Sequence, residues 1–470
     1  MLRPWPLEIS LDSSSDKAIY LQIADAFIEA IKTGKLISNY ALPGSRQLAA
    51  LLEVNRNTVI QALDVLIAEG WLVSVERKGT FVSEILPQTI QSKKVVAESD
   101  KVTKSVKPNL HFDDGLPDSR LAPMNELARA YRQIFSLKSR WQIMGYSDEF
   151  GDIEFRKAIV QMLNFKRGMH VTTDEICITR GSQMAMYLAS HAVLDKGDWV
   201  MVENPGYKPA WETFTNAGAG LLPVNVDQDG LIIEEVEAYL KENATIKAIY
   251  ITPHHQFPTT VTLSLKRRLQ LIELSNHYGF MIIEDDYDNE FHFEQRPILP
   301  ISSFENAKNY IYIGTFSKIV APALRIGYLA STAEVIQKAG KHRKLIDVQG
   351  DNIMERAILQ LINEGEIKRH LKRTSAVYKA KRDYFESVCN LHLKDKATYT
   401  KPNGGLAFWI VPKKKTDLNE VADKLLKKGI KIMKPQDYSF DEPISGLRLG
   451  YASLTEKEIS DGIAEIAKYL

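Results

Sequence analysis

Cysteine is scarce in this chain: Cys177 and Cys389 are the only two among 470 residues. Two thiols cannot build the disulfide framework of a small secreted protein, and they suit a reducing compartment. Both read as small apolar side chains inside the fold, with no chemical role. No apolar run approaches the roughly 20 residues that span a bilayer. The opening stretch "MLRPWPLEISLDSSSDK" lacks the basic-then-apolar order of a signal peptide. The expected location is therefore the cytoplasm. Neither charge sign is in excess, since the net charge is +1, and 44% hydrophobic with 25% charged residues is ordinary for a globular protein. No repeat of solenoid period stands out. No metal ligands are assigned.

What is present is length, enough for two or three domains rather than one core. Residues 1–82 read as short helices ending in a hairpin. Residues 83–109, "SEILPQTIQSKKVVAESDKVTKSVKPN", are polar, lysine-bearing and almost free of aromatics, and are expected to form a flexible linker. From residue 110 to 470, strand-like runs ("DWVMVEN", "IKAIYITP", "GFMIIEDD", "NYIYIGTF", "RIGYLAS") alternate with helical patterns, the signature of a mainly parallel α/β sheet. The tail, about 347–470, mixes long charged helices with short strands such as "GLAFWIV" and "GLRLGYA". It is expected to form a small C-terminal α+β subdomain.

Near the N-terminus, Ile19, Ile23, Phe27 and Ile31 recur at helical spacing. Two shorter helices should follow, with Ser45 able to cap the first and Asn55 the second. In the second, Val59, Ala62, Leu63 and Leu66 form a buried stripe, leaving Arg56, Asn57, Thr58 and Gln61 outward near its start. Those are the side chains with which a recognition helix meets base edges and phosphates. "GWLVSVERKGTFVS" supplies a hairpin with Arg77 and Lys78 at its tip, the makings of a wing. Eight Lys/Arg against nine Asp/Glu in residues 1–82 leave no domain-wide basic footprint. Any DNA affinity must come from one face carrying Arg46, Arg56, Arg77 and Lys78. A helical domain that binds protein instead fits the charge equally well. The motifs "IYLQIAD", "LPGSRQLAALLEVNRNTV", "AEGWL" and "GTFV" in this order resemble the winged helix-turn-helix of the GntR family of bacterial regulators. By that resemblance Arg46 and Arg56 clamp phosphate or read guanine, and the wing lies against the minor groove.

In the large segment the informative motifs all fall at strand C-termini, where open parallel sheets bind ligands. "ICITRGSQMAMYLAS" is a strand, a turn at Gly181, and a helix whose opening N–H groups can hold an anion. "MIIEDDYDNEF" ends a strand on Asp285 and Tyr287, and "IYIGTFSK" ends one on Thr315, Ser317 and Lys318. A phosphate would be met by Ser182, Thr315, Ser317 and Arg325. A pyridine nitrogen would be kept protonated by Asp285 and a phenolic oxygen bonded by Tyr287. An aldehyde would form a Schiff base with Lys318. Pyridoxal 5′-phosphate carries all four features. Each element alone has a plainer explanation, such as a helix cap or a solvated lysine, but the plain explanations must all hold together to remove the conjunction. His254 and His255 lie near the same face and read as structural.

"GYSDEFGDIEFR", "TRGSQMAM", "VENPGY", "ITPHHQFPTT", "IIEDDYDNEF", "GTFSKIVAPALRIGYL" and "LRLGYA" resemble the fold-type I aminotransferases over about 112–452. The resemblance implies an α/β pyridoxal-phosphate-dependent transferase fold of the aspartate aminotransferase type. It implies that Lys318 carries the cofactor, Asp285 pairs with the pyridinium, Tyr287 bonds the phenolic oxygen and Tyr207 stacks on the ring. Ser182, Gln183, Thr315, Ser317 and Arg325 would hold the phosphate. Tyr146 would reach the phosphate bound by a partner subunit, and Arg448 would grip an effector's α-carboxylate. Phe257 stands where many such enzymes have asparagine, and Thr260 where glycine is usual. Pro209 stands where an amino-acid-sensing relative has a second arginine, so a ligand with a distal acid is disfavoured.

A GntR-type reader linked to an aminotransferase-like body resembles the MocR subfamily of bacterial transcription regulators. That resemblance implies a head-to-tail homodimer that binds double-stranded promoter DNA and senses pyridoxal phosphate or an amino compound. A working aminotransferase with an accessory reader, and a body that has lost its cofactor and only dimerises, are the rival readings.

Overall fold

A computed structural model describes residues 7, 9–12, 14–86, 108–136, 140–242, 245–294, 298–440 and 444–470. The chain divides into two compact units, 1–103 and 104–470. Most of the expected linker lies outside the described residues. No described helix is long and apolar enough to cross a membrane.

The N-terminal unit is a three-helix bundle with a hairpin. Ile23, Phe27 and Ile31 of helix Ile19–Lys32 are buried as their spacing predicts, against Val59, Ala62, Leu63 and Leu66 of helix Arg56–Ala68. Asn55 caps that last helix, its side chain accepting the Asn57 N–H at 2.8 Å. Ser45 does not act as a cap. It is the first residue of helix Ser45–Leu51, Gly44 takes the cap position, and the Ser45 hydroxyl instead accepts Arg56 Nε at 3.3 Å. Strands Leu72–Val75 and Gly79–Val82 pair antiparallel, and residues 39–42 bond along the second as a short third strip.

In the large unit eight strands form one mixed sheet. Their order is Ile176–Thr179, Gly327–Ser331, Tyr310–Thr315, Met281–Asp286, Ile246–Ile251, Trp199–Asn204, Gly220–Asp227, Gly230–Leu231. The four pairings from Tyr310–Thr315 through to Gly220–Asp227 are parallel, and Gly327–Ser331 runs antiparallel to both neighbours. Strands such as Ile176–Thr179 and Gly327–Ser331 are buried at every residue, because helices cover both faces and alternation has no solvent side to serve. The antiparallel strand positions the site. Gly327 pairs with both Thr179 and Thr315, so Arg325, just ahead of it, comes beside the ends of two parallel strands.

The C-terminal lobe packs strands Ala397–Tyr399, Ala407–Pro412 and Leu447–Gly450 against helices Glu366–His392, Leu418–Lys427 and Glu456–Ile466 around Phe385, Phe408 and Tyr451. Two features depart from a simple tail. Helix Asn352–Asn363 sends Ala357, Ile358 and Leu361 into the core that holds Phe155, Ile178 and Phe316 beside the large sheet. Conversely, the start of the unit joins the lobe: Leu110–His111 pairs parallel with Ile430–Lys431, and Phe112 is buried in the lobe's core.

Candidate functional site

Five strand ends and the loops beyond them enclose one cavity, lined among others by Asp114, Ser182, Tyr207, Tyr250, Thr252, Phe257, Asp285, Tyr287, Ser317, Lys318 and Arg325. The sequence-predicted groups thus converge although they lie up to 143 positions apart. Parallel strands bring their C-terminal ends to one edge of the sheet.

Lys318 follows the turn after strand Tyr310–Thr315. Its Nζ donates to the Gly115 carbonyl at 2.7 Å, lies 3.8 Å from Asp114 Oδ1, and sits 6.0 Å from the centre of the Tyr287 ring. Asp285 is buried. Its Oδ2 accepts the Tyr250 hydroxyl at 2.8 Å, while Oδ1 has no partner among the described residues. Burial pushes the Asp285 carboxyl up to about 7, against the pull of Tyr250 and Lys318. A cationic ring nitrogen beside Oδ1 would relieve that cost.

At the other end of the cavity, helix Ser182–Val193 begins on Gly181, whose φ of 79° no β-carbon favours and which gives no side-chain cap. The first-turn N–H groups are therefore free for an anion. A β-carbon on Gly181 would lie 2.7 Å from Arg325 Nη2, so glycine is what lets the guanidinium close on the helix start. Arg325 itself has a left-handed backbone, φ 52°, and donates to the Arg180 carbonyl at 3.0 Å. Thr315 Oγ1 accepts the Ser317 N–H at 3.1 Å, and the buried Ser317 Oγ has no partner among the described residues. Two orphaned polar atoms, one at each end, together with a guanidinium, an open helix start and a lysine, fit pyridoxal phosphate.

Tyr287 donates its hydroxyl to the His255 carbonyl at 2.7 Å and accepts from Arg448 Nη2 at 3.2 Å. Arg448 also donates from Nε to the Asp114 carbonyl at 2.8 Å and from Nη1 to the Pro258 carbonyl at 3.0 Å, with its plane over the Phe257 ring. Of a guanidinium's five N–H groups, this leaves one on each terminal nitrogen without a hydrogen-bond partner among the described residues. Tyr207 meets Phe257 edge to face at 5.2 Å, and burial raises its hydroxyl to about 12.

Other expected residues stand elsewhere. The Gln183 side chain turns to Thr213 Oγ1 at 2.9 Å and the Pro209 carbonyl, so only its backbone faces the anion position. Tyr146 is 90% exposed and lies outside this cavity. His254 Nε2 donates to the Ile298 carbonyl at 2.9 Å, and burial holds its pKa down at about 4, hence neutral. His255 pairs with Asp288 at 2.6 Å. Neither histidine lines the cavity. Residues that sequence reasoning missed are Tyr250, Thr252 and Asp114. Tyr250 lies within the quoted run "IKAIYITP", but a tyrosine in a buried strand carries no mark of a carboxylate partner.

In the N-terminal unit Arg46, Arg56, Asn57, Gln61, Arg77 and Lys78 are exposed and Thr58 is half-buried. Arg77 has φ 62° at the hairpin tip, and the Lys78 N–H closes the turn on the Val75 carbonyl at 3.0 Å.

Residues 110–466 match the aminotransferase class I and II family, and residues 19–82 match the bacterial regulatory proteins of the gntR family. The probable rhizopine catabolism regulatory protein MocR of Rhizobium meliloti is 26% identical over 96% of this chain and 94% of its own. The transcriptional regulator NorG of Staphylococcus aureus is 26% identical over 91% of this chain and 99% of its own. Among solved structures, the kynurenine aminotransferase of Pyrococcus horikoshii, in complex with PMP, is 26% identical with a TM-score of 0.72. It covers 77% of this chain and 90% of its own. LysN of Thermus thermophilus, complexed with N-(5′-phosphopyridoxyl)-L-leucine, is 25% identical with a TM-score of 0.70, over 77% and 92%. The chain therefore belongs to the class I and II aminotransferase family, carries a gntR-family domain at residues 19–82, and is similar along nearly its whole length to MocR and other HTH-type transcriptional regulators.

Proposed function

We propose that this protein is a pyridoxal-phosphate-dependent transcription regulator whose aminotransferase-like body senses the cofactor or an amino compound and repositions the DNA readers. One observation carries this reading: Ser182, Tyr207, Asp285, Tyr287, Thr315, Ser317 and Arg325 line one cavity with Lys318, in the same chain as a gntR-family domain whose helix Arg56–Ala68 exposes Arg56, Asn57 and Gln61. The bound cofactor supplies an aldehyde that captures amines. Lys318 holds it covalently, and Asp285 pairs with its ring nitrogen. Tyr287 bonds its phenolic oxygen and Tyr207 lies against its ring. Ser182, the backbone of Gln183, Thr315, Ser317 and Arg325 take the phosphate. Arg448 offers its two remaining N–H groups to a ligand carboxylate.

The gntR-family domain binds DNA. Within it Arg56, Asn57, Thr58 and Gln61 face the major groove, Arg46 holds phosphate, and Arg77 with Lys78 forms the wing contact. The protein works in the cytoplasm as a head-to-tail homodimer, with the exposed Tyr146 reaching the partner's phosphate site. Ligand binding changes operator affinity only if the two arrangements bind ligand differently, and a coupling of about 1–3 kcal/mol is typical. A second reading, a working aminotransferase, has support in the spare donors of Arg448.

Footprinting on the adjacent promoter, with and without pyridoxal phosphate and candidate amines, tests the proposal. Protection should change with ligand in the native protein and stay constant in Lys318→Ala. Ligand-dependent protection that survives in Lys318→Ala would overturn it, and sustained oxo-acid production would favour the enzyme.

A further inference from the structure

Two neighbouring aspartates behind strand Leu110–His111 have unlike surroundings. Asp113 is fully engaged: Oδ1 accepts the N–H groups of Gly115 and Leu116, both at 2.8 Å, and Oδ2 accepts the Ser453 hydroxyl at 2.7 Å. It shapes the turn. Asp114 lines the cavity, and its carboxylate accepts no hydrogen bond from any other described residue. Its side chain is 33% exposed, with Oδ1 facing Lys318 Nζ at 3.8 Å. The backbone beneath it is held, because Arg448 Nε fixes the Asp114 carbonyl at 2.8 Å. A carboxylate is thus presented on a braced turn, next to the nitrogen that captures ligands.

We propose that Asp114 makes this cavity selective for an amine that carries a second cationic group, a diamine or a basic amino acid. The inference rests on the cofactor reading above. With the cofactor bound, Arg325 faces its phosphate, Asp285 its ring nitrogen and Arg448 a ligand carboxylate. Asp114, whose nearest cations are Lys318 and Arg448, is then the acid of the cavity with no cofactor group assigned to it. Ligand exchange conserves atoms and charge: the ligand nitrogen forms its carbon–nitrogen bond as the bond to Lys318 Nζ breaks. Lys318 leaves as the free amine with the protons that the ligand surrendered. An acidic ligand side chain would meet Asp114 as a like charge, and Pro209 supplies no cation to offset it.

The test is absorbance titration of the cofactor-loaded full-length protein with L-ornithine, 1,3-diaminopropane, L-norvaline and L-glutamate, on the native chain and on Asp114→Asn. Ornithine should half-saturate at a concentration roughly tenfold or more below norvaline, with glutamate weakest, as a charge-assisted contact requires. In Asp114→Asn the ornithine advantage should disappear while norvaline is unchanged or improved. Equal affinities for ornithine and norvaline in the native chain overturn the inference, and so does a preference that survives in Asp114→Asn. The native ranking decides even where the variant does not fold. A protein that shows no cofactor band and no borohydride-fixed adduct at Lys318 overturns the cofactor reading itself, and this inference with it.

Discussion

Glu203, next to last in strand Trp199–Asn204, is buried, and its Oε2 accepts both the N–H and the hydroxyl of Thr252, at 3.0 and 2.7 Å. Burial nevertheless pushes its carboxyl up to about 7, and it does the same to Glu284 and Asp285. An acid raised in this way holds a proton in the folded chain that the unfolded chain has already lost. Its contribution to stability is therefore intact below the ordinary carboxyl range and falls as the pH rises towards 7, by about 1.4 kcal/mol per unit of displacement. Glu203→Gln keeps an acceptor for Thr252 and removes the ionisation. Its melting temperature relative to the native chain should be higher at pH 8 than at pH 5. A difference independent of pH would show that Glu203 titrates as an ordinary acid. At this scale Asp285, Tyr287 and Lys318 were legible because polar groups closing buried strands are out of place in a core. Tyr250 and Thr252 were not, since their importance lies in which carboxylate they touch. Those contacts depend on strand register, 35 and 49 residues distant in sequence.

The elements that carry these groups depend on a few backbone positions. Helix Ser182–Val193 starts without a side-chain cap, and Gly181 leaves room for Arg325 to close over its first turn. Gly181→Ala would force a strained φ and move the guanidinium. A stability loss of about 1 kcal/mol or more is expected, with affinity for pyridoxal phosphate falling roughly tenfold, both measurable by urea unfolding and absorbance titration. Unchanged cofactor affinity would mean that the helix start and Arg325 do not hold the phosphate together. Helix boundaries were legible where a side chain marks them, as Asn55 does. At Ser45 they were off by one residue, because Gly44 adopts the extended cap backbone by itself. The strand runs were recognisable by their continuous β-branched character. That Gly327–Ser331 runs against its neighbours was not, since a fully buried strand looks alike in either direction.

For the whole molecule, two compact units imply two unfolding events, of which cofactor binding should move one. A ligand that binds only the folded large unit stabilises it by about 2.7 kcal/mol at a hundredfold excess over its dissociation constant. Calorimetry with added pyridoxal phosphate should raise the transition of the large unit and leave that of the N-terminal unit in place. Lys318→Ala should lose most of the rise. A rise of equal size in Lys318→Ala would place the stabilising contact elsewhere. The two-part plan was readable from the change in pattern near residue 110. The composition of the C-terminal lobe was not, because it is completed by residues from the opposite end of the unit. Leu110, His111 and Phe112 are stitched to Gly429 and Lys431, and not to the sheet that bears Lys318. The first described residues of the large unit are therefore rooted in the lobe that also carries Arg448, so any movement of that lobe takes the stretch from Asn109 to Phe112 with it.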